Sequence, residues 1–246
     1  MRLALRIRRF FHKINVMNAH IARGDSPTPL TELAFRQLRR DVLIGTFAAG
    51  DKLKLDELQE HYGISSSPLR EALSRLAQEG LVRADERRGF RVAALSAVDM
   101  ADITRMRLMI DLEALSNSID EGDDEWEAGL VAAYHRLEKI EGKLSDGPVI
   151  LNDDWSEVHR AFHTALISAC RSERLRSWSA SLFDQAERYR RASARMRQTA
   201  RRKSNEHRKI MDATLARDKN TACALLEEHI KSTQRNVEIA MRSANR

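Results

Sequence analysis

Four histidines in the C-terminal half of the chain have the spacing that could do chemistry. His159 and His163 lie four residues apart in WSEVHRAFHTALISAC. On a helix that spacing stacks both imidazoles on one face, where they can share a ligand. His207 opens EHRKIMDATLARD, and His229 follows 22 residues later in LLEEHI. Two imidazoles from one helix and one from each of two others can converge inside a bundle, and neutral imidazole is a common ligand of divalent metals. Spacing alone leaves the simpler alternative open, that each histidine sits at the surface or is satisfied within a core. A metal-dependent hydrolase finds less support. The chain has no His-Glu-x-x-His segment, and no Asp or Glu is placed by spacing as a general base beside the candidate ligands.

A second constellation spans Lys52 to Val92. Leu55 to Tyr62 can form a short helix, Gly63 allows a sharp turn, and Ile64 drops into the core beside it. Ser65 can cap the next helix, with Pro68 in its first turn, where a missing N–H costs nothing. Leu69, Ala72, Leu73, Leu76 and Ala77 make one apolar helical face. Ser67, Arg70, Ser74 and Gln78 make the opposite, polar face. Gly80 ends the helix, and Leu81-Val82-Arg83 can pair with Phe90-Arg91-Val92 around a tip that holds Arg87, Arg88 and Gly89. A helix-turn-helix followed by a basic hairpin is a winged helix. Its second helix enters the major groove of DNA, and its wing lies along phosphates or the minor groove. Each piece is common by itself; their order within about 40 residues points to DNA binding.

The elements that must position these residues fall into two domains, a natural count for 246 residues. Thr31 to Gly45 reads as a helix buried through Leu33, Leu38, Val42 and Ile44. Beyond Asp99 nothing reads as strand. Helices are expected near 98–120, 124–144, 151–171, 173–192, 196–217 and 219–242, with Ser96 capping the first. That is an all-α bundle large enough for its own core. Trp126, Trp155 and Trp178 read as packing anchors between helices. The ten basic residues between Arg188 and Lys209 read as a solvated helix face.

The net charge of +6 lies wholly in residues 1–95, which hold 17 Lys/Arg against 11 Asp/Glu. Most of it sits in the extension 1–29, with six basic residues and one acidic. The winged-helix segment is close to neutral, so DNA binding rests on where its arginines stand and not on bulk charge. The extension reads as a disordered arm, an amphipathic surface helix, or sequence upstream of a true start at Met17. It does not read as a secretory signal, because charges interrupt every apolar run and no small-residue cleavage site follows. No run of 18 apolar residues spans a membrane. Cys170 and Cys223 form no disulfide framework and no Cys-x-x-Cys pattern, which fits a reducing cytoplasm.

SPLREALSRLAQEGLV followed by RRGFRV resembles the N-terminal domain of the GntR family of bacterial transcription regulators, over about Leu30 to Leu95. The resemblance implies DNA contacts from Ser65, Ser66, Ser67, Arg70, Arg88 and Gly89. Many members have Arg where this chain has Ser66, and that Arg often reads a guanine. Phe162-His163 with its following apolar-Ala-Cys stretch, the later His207 with ATLARD, and the final EEH resemble the FCD effector domain of the FadR subgroup, over about Ser96 to Met241. That resemblance implies a divalent metal held by one Asp and three His. His163, His207 and His229 match the three histidines, and His159 stands where the family has Asp. Exchanging a carboxylate for an imidazole raises the net charge of the loaded site from +1 to +2, which favours anionic guests. Arg107 matches the family's arginine on the first effector helix and could pair a carboxylate. GDDEWEA, HRAFHTALISAC and LFDQAERYR resemble the carbon-starvation-induced, glutarate-responsive branch of that subgroup.

Taken together, these observations predict a mainly α protein. A winged helix-turn-helix, three helices plus a short β-hairpin over 30–95, precedes an all-helical effector-binding and dimerisation domain over 96–242. The expected function is a cytoplasmic, homodimeric repressor that binds double-stranded operator DNA and is released by a small carboxylic acid, with glutarate as one candidate. The expected cofactor is zinc or nickel. The alternative is a repressor that responds to the metal itself.

Overall fold

The computed structural model describes residues 29–85, 89–142, 153–196 and 205–244. The expectations for the N-terminal extension, for Met17 and for Arg87 and Arg88 lie outside these residues.

Helix α1 runs Leu30–Ile44 and closes on Gly45, whose φ of 76° is left-handed. Its buried stripe is Ala34, Phe35, Leu38 and Val42. Leu33 is exposed and Ile44 only half-buried, a correction to the expected face. Ala34, Leu38 and Val42 recur every fourth residue, and Leu33 falls off that line.

Strand β1 (Lys52–Leu53), α2 (Leu55–Tyr62), α3 (Ser66–Gln78), β2 (Val82–Asp85) and β3 (Gly89–Val92) complete the winged helix. The turn between α2 and α3 pivots on Gly63, φ 67°. Ser65 stands at the N-cap of α3 with extended backbone, but its side chain makes no capping hydrogen bond, contrary to expectation. The sheet has three strands and not the two of a bare hairpin. Its order is β1-β3-β2, both pairs antiparallel, with Val82 opposite Val92 and Leu53 opposite Phe90. Leu53, Leu69, Leu73, Leu76, Leu81 and Phe90 form one core with the stripe of α1. Truncating any of the fully buried leucines to Ala costs about 2–5 kcal/mol.

Behind it, six further helices lie among the described residues: α4 (Ala97–Glu121), α5 (Asp124–Glu141), α6 (Asp153–Leu166), α7 (Glu173–Met196), α8 (Glu206–Leu215) and α9 (Lys219–Ala244). The Ser96 hydroxyl caps α4 by accepting from Asp99 N at 3.1 Å, and Asp123 caps α5 through Trp126 N at 2.9 Å. Helix α8 begins only at Glu206, and 197–204 lies outside the described residues. Trp126 and Trp155 are buried in the bundle core. Trp178 is 57 % exposed and is no core anchor, a correction.

The start of the basic run on α7 is also not a solvated face. Arg188, Arg190 and Arg191 are buried. Arg188 donates to the Ala93 carbonyl, Arg190 to Glu187, and Arg191 to Asp153 at 2.9 Å. Tyr189 donates to Asp99 at 2.5 Å and accepts from Ser96 N. Helix α7 therefore carries the seam between the two halves. Burying a guanidinium demands partners, which here are the Ala93 carbonyl beyond the wing and the carboxylates of Glu187 and Asp153.

Candidate metal centre and nucleic-acid interface

His159 and His163 project from one face of α6, as their spacing predicts. Helix α8 offers His207 in its first turn, and α9 folds back to bring His229 opposite. All four side chains are buried, and one nitrogen from each lies within 4.8 Å of the others. His159 Nε2 and His163 Nε2 are 3.2 Å apart. Trp155 stacks on the His159 ring at 4.4 Å, and the His163 and His229 rings stack at 5.1 Å.

The outer nitrogens are oriented by carboxylates. His229 Nδ1 faces Glu206 Oε2 at 2.9 Å, and His207 Nδ1 faces Glu141 Oε1 at 3.4 Å. A hydrogen bond from His229 Nδ1 to Glu206 favours the tautomer that leaves its Nε2 with a lone pair, and the nearby Glu141 carboxylate favours the same form of His207. Nothing in the sequence singles out Glu206 or Glu141, since their role depends on how three helices meet. His207 Nε2 and His159 Nδ1 are buried without a hydrogen-bond partner among the described residues. Burial holds His159 and His163 well below the ordinary histidine range, and the Arg190 guanidinium adds to this at His159. Burial brings His229 down to about 4, against the pull of Glu206. Neutral, inward-facing nitrogens form the donor set that a divalent transition metal accepts at about 2.0–2.1 Å.

His163 also lines a cavity of about 330 Å³. Arg107, Arg160 and Arg176 reach it, together with Thr164 and Ser179. The expected Arg107 is there, but its Nε and Nη2 both hold Asp111 Oδ2, at 2.9 and 2.8 Å. Sequence reasoning misses Arg160 and Arg176, which look there like two more surface arginines.

The winged helix presents Ser65, Ser66, Ser67 and Arg70 on its exposed face. Arg70 makes no ion pair among the described residues, whereas Arg75, further along the same helix, holds Glu32 at 3.0 Å and covers the Phe35 ring at 3.8 Å. Gly89 opens β3 with φ 89°, a conformation suited to a tight wing tip. Arg88 lies outside the described residues. The sheet register adds a feature that the sequence does not display. Lys52 lies opposite Arg91 and Arg91 opposite Arg83, all exposed, so one row of cations crosses three strands. Strand alternation puts Arg83 and Arg91 on one face, but β1 is not among the expected strands.

Comparison with known proteins agrees with this layout. The sequence profile of the bacterial regulatory proteins of the gntR family matches residues 30–92, and that of the FCD domain matches 102–232. The HTH-type transcriptional regulator BphR of Paraburkholderia xenovorans LB400 is 40% identical over 85% of this chain and 87% of its own. The HTH-type transcriptional repressor GlaR of Escherichia coli K12 is 36% identical over 80% of this chain and 90% of its own. The structure of E. coli McbR/YncC superposes with a TM-score of 0.66 at 20% identity, covering 88% of this chain and 99% of that one, a likeness of fold.

Proposed function

The chain belongs to the gntR family of bacterial regulatory proteins and carries an FCD domain; from that premise we propose that it is a homodimeric repressor released from its operator by a small carboxylic acid. The carrying observation is the junction of two features at His163: four buried imidazoles with nitrogens close together, and beside them a cavity reached by Arg107, Arg160 and Arg176. A pocket with this many guanidiniums selects carboxylates. Repression fits the likeness to GlaR, itself a repressor.

His159, His163, His207 and His229 would hold the metal, zinc or nickel by their donor chemistry. When bound, the ion would supply a fixed positive charge beside the cavity that His163 lines. The chain's own residues do the rest. Glu206 and Glu141 orient two of the imidazoles, the arginines orient the acid, and Phe183 and Leu226 exclude water around its carbon chain. Ser65, Ser66, Ser67 and Arg70 read the major groove, and Arg88 and Gly89 contact the DNA as the family's wing residues do. Two recognition helices on a dimer read two half-sites, and repacking the helices around the histidines changes their spacing.

Titration of operator DNA with and without glutarate, before and after dialysis against chelator, tests this reading. The expected result is release by the acid and retention by the chelated protein alone. Release by chelation in the absence of acid would instead mark a metal-responsive repressor.

A further inference from the structure

Asp184 of α7 lies between two arginines from opposite halves of the chain. Its side chain is 3 % exposed. Arg160, on α6, donates Nε to Asp184 Oδ1 at 2.9 Å and Nη2 to Oδ2 at 3.2 Å. Arg39, on α1 of the winged helix, reaches the same carboxylate with Nη2. The Nε of Arg39 donates to Glu79 Oε2 at 3.1 Å. Glu79 is the residue on which recognition helix α3 ends. Alternating charges thus run without a break from the cavity wall, through Arg160, Asp184 and Arg39, to the end of the helix that faces DNA.

The three cavity arginines are not equivalent. Arg107 is tied to Asp111 within its own helix, and Arg176 is spent on the Ser168 and Cys170 carbonyls at 3.2 and 2.9 Å. Both sets of partners belong to the effector half. The partner of Arg160 is shared with the winged helix, and the Arg160 side chain is 39 % exposed at the cavity. A buried carboxylate that loses one cation must be compensated by another.

We propose that Arg160 binds the carboxylate of the acid and that Asp184 passes this event to the recognition helix. An anion in the cavity competes with Asp184 for the Arg160 guanidinium. Asp184 then draws more fully on Arg39, at the expense of the Arg39–Glu79 ion pair. Helix α1 and the end of α3 shift against α7, and the two recognition helices of a dimer lose their half-site spacing. The anion-binding part rests on the reading of the cavity as a carboxylate site; the Arg160-to-Glu79 route does not.

The test uses full-length protein, with glutarate and succinate as probes. Acid binding is measured by calorimetry, and operator affinity by anisotropy at fixed salt, with and without acid. Arg39→Met is expected to bind the acid as the unmodified protein does, while the release caused by saturating acid falls from about tenfold to under twofold. Arg160→Met is expected to weaken the acid about tenfold or more. Without any acid it should also lower operator affinity, because it imitates the withdrawal of Arg160 from Asp184. That acid-free loss should vanish in the Arg39→Met background, and the resulting double-mutant cycle measures the route independently of any ligand. Strictly additive losses overturn the route, as does Arg39→Met protein that acid releases normally. Calorimetry showing unmodified protein without affinity for either acid overturns the anion-binding part alone. Circular dichroism checks that each variant folds, and Arg160→Lys, which keeps the charge, should recover part of the affinity.

Discussion

The Nε2 atoms of His159 and His163 face each other across 3.2 Å on successive turns of one helix. In a closed protein interior two imidazole nitrogens meet this way by sharing one proton or by sharing an ion. His207 Nε2 lies close by with no hydrogen-bond partner among the described residues, and it favours the ion, since one shared proton cannot satisfy three or four lone pairs. Elemental analysis is expected to find close to one transition metal per chain. His163→Ala should carry almost none. It should also lose the metal-linked stability of the unmodified protein, about 2.7 kcal/mol when free metal is a hundredfold above its dissociation constant. It should still bind operator, because the wings are remote from the cluster. Purified protein that holds no metal and takes none up on titration would leave the four histidines as direct partners of the acid.

Arg70 and Arg75 make a controlled pair on one helix. Arg70 faces solvent without an ion pair among the described residues, and Arg75 is held by Glu32 and Phe35. Arg70→Ala is expected to lose about 1–3 kcal/mol of operator affinity with an unchanged melting temperature. Arg75→Ala should do the reverse, costing about 0.5–1.5 kcal/mol of stability through the missing stacking and ion pair, with little change in operator affinity once folded. Exchanged outcomes would place the DNA on the wrong face of α3.

The Lys52–Arg91–Arg83 row should bind phosphates and carry no sequence preference. Replacing Lys52 and Arg83 with Ala is expected to weaken specific and random DNA to the same degree. The slope of log affinity against log salt should shrink by about 0.9 for each phosphate that is no longer neutralised. An unchanged slope would take the sheet out of the interface.

The two constellations are legible in the sequence because each depends on local spacing. His159 and His163 are i, i+4 on one helix, and the polar face of α3 follows from its period. What stays hidden depends on meetings between distant segments. Glu206 and Glu141 orient histidines only because α5, α8 and α9 meet. Arg188, Arg190 and Arg191 look like surface charge until Ala93 after the wing, Glu187 on α7 itself and Asp153 of α6 supply their acceptors. Trp178 fails in the opposite direction: its size suggests a core, but its place on α7 points it outward. Strand β1 has two residues and no alternation to read, so the third column of the cation row has no signature in the sequence.

The buried histidines also fix how stability responds to acid. His159 and His163 are held well below their ordinary value and His229 lies at about 4, while the unfolded chain titrates near about 6.5. Between those limits the unfolded state binds more protons than the folded one. Stability of the metal-free protein is therefore fully present above about pH 6.5 and is lost as pH falls toward 4. Each such histidine contributes at most about 1.4 kcal/mol per pH unit. The window from about pH 5.5 to 7 isolates the effect, because ordinary carboxylates titrate below it. Urea unfolding of chelated protein across that window is expected to show the midpoint falling steadily with acid. His229→Gln removes one titrating group and should flatten the dependence. Bound metal competes with the same protons, so the loaded protein should resist acid to a lower pH before releasing the ion. A midpoint that stays level from about pH 7 to 5.5 would mean that the fold does not hold these imidazoles below their unfolded value, and one that rises as pH drops would mean that the fold favours their protonated form, which cannot offer a lone pair to a metal.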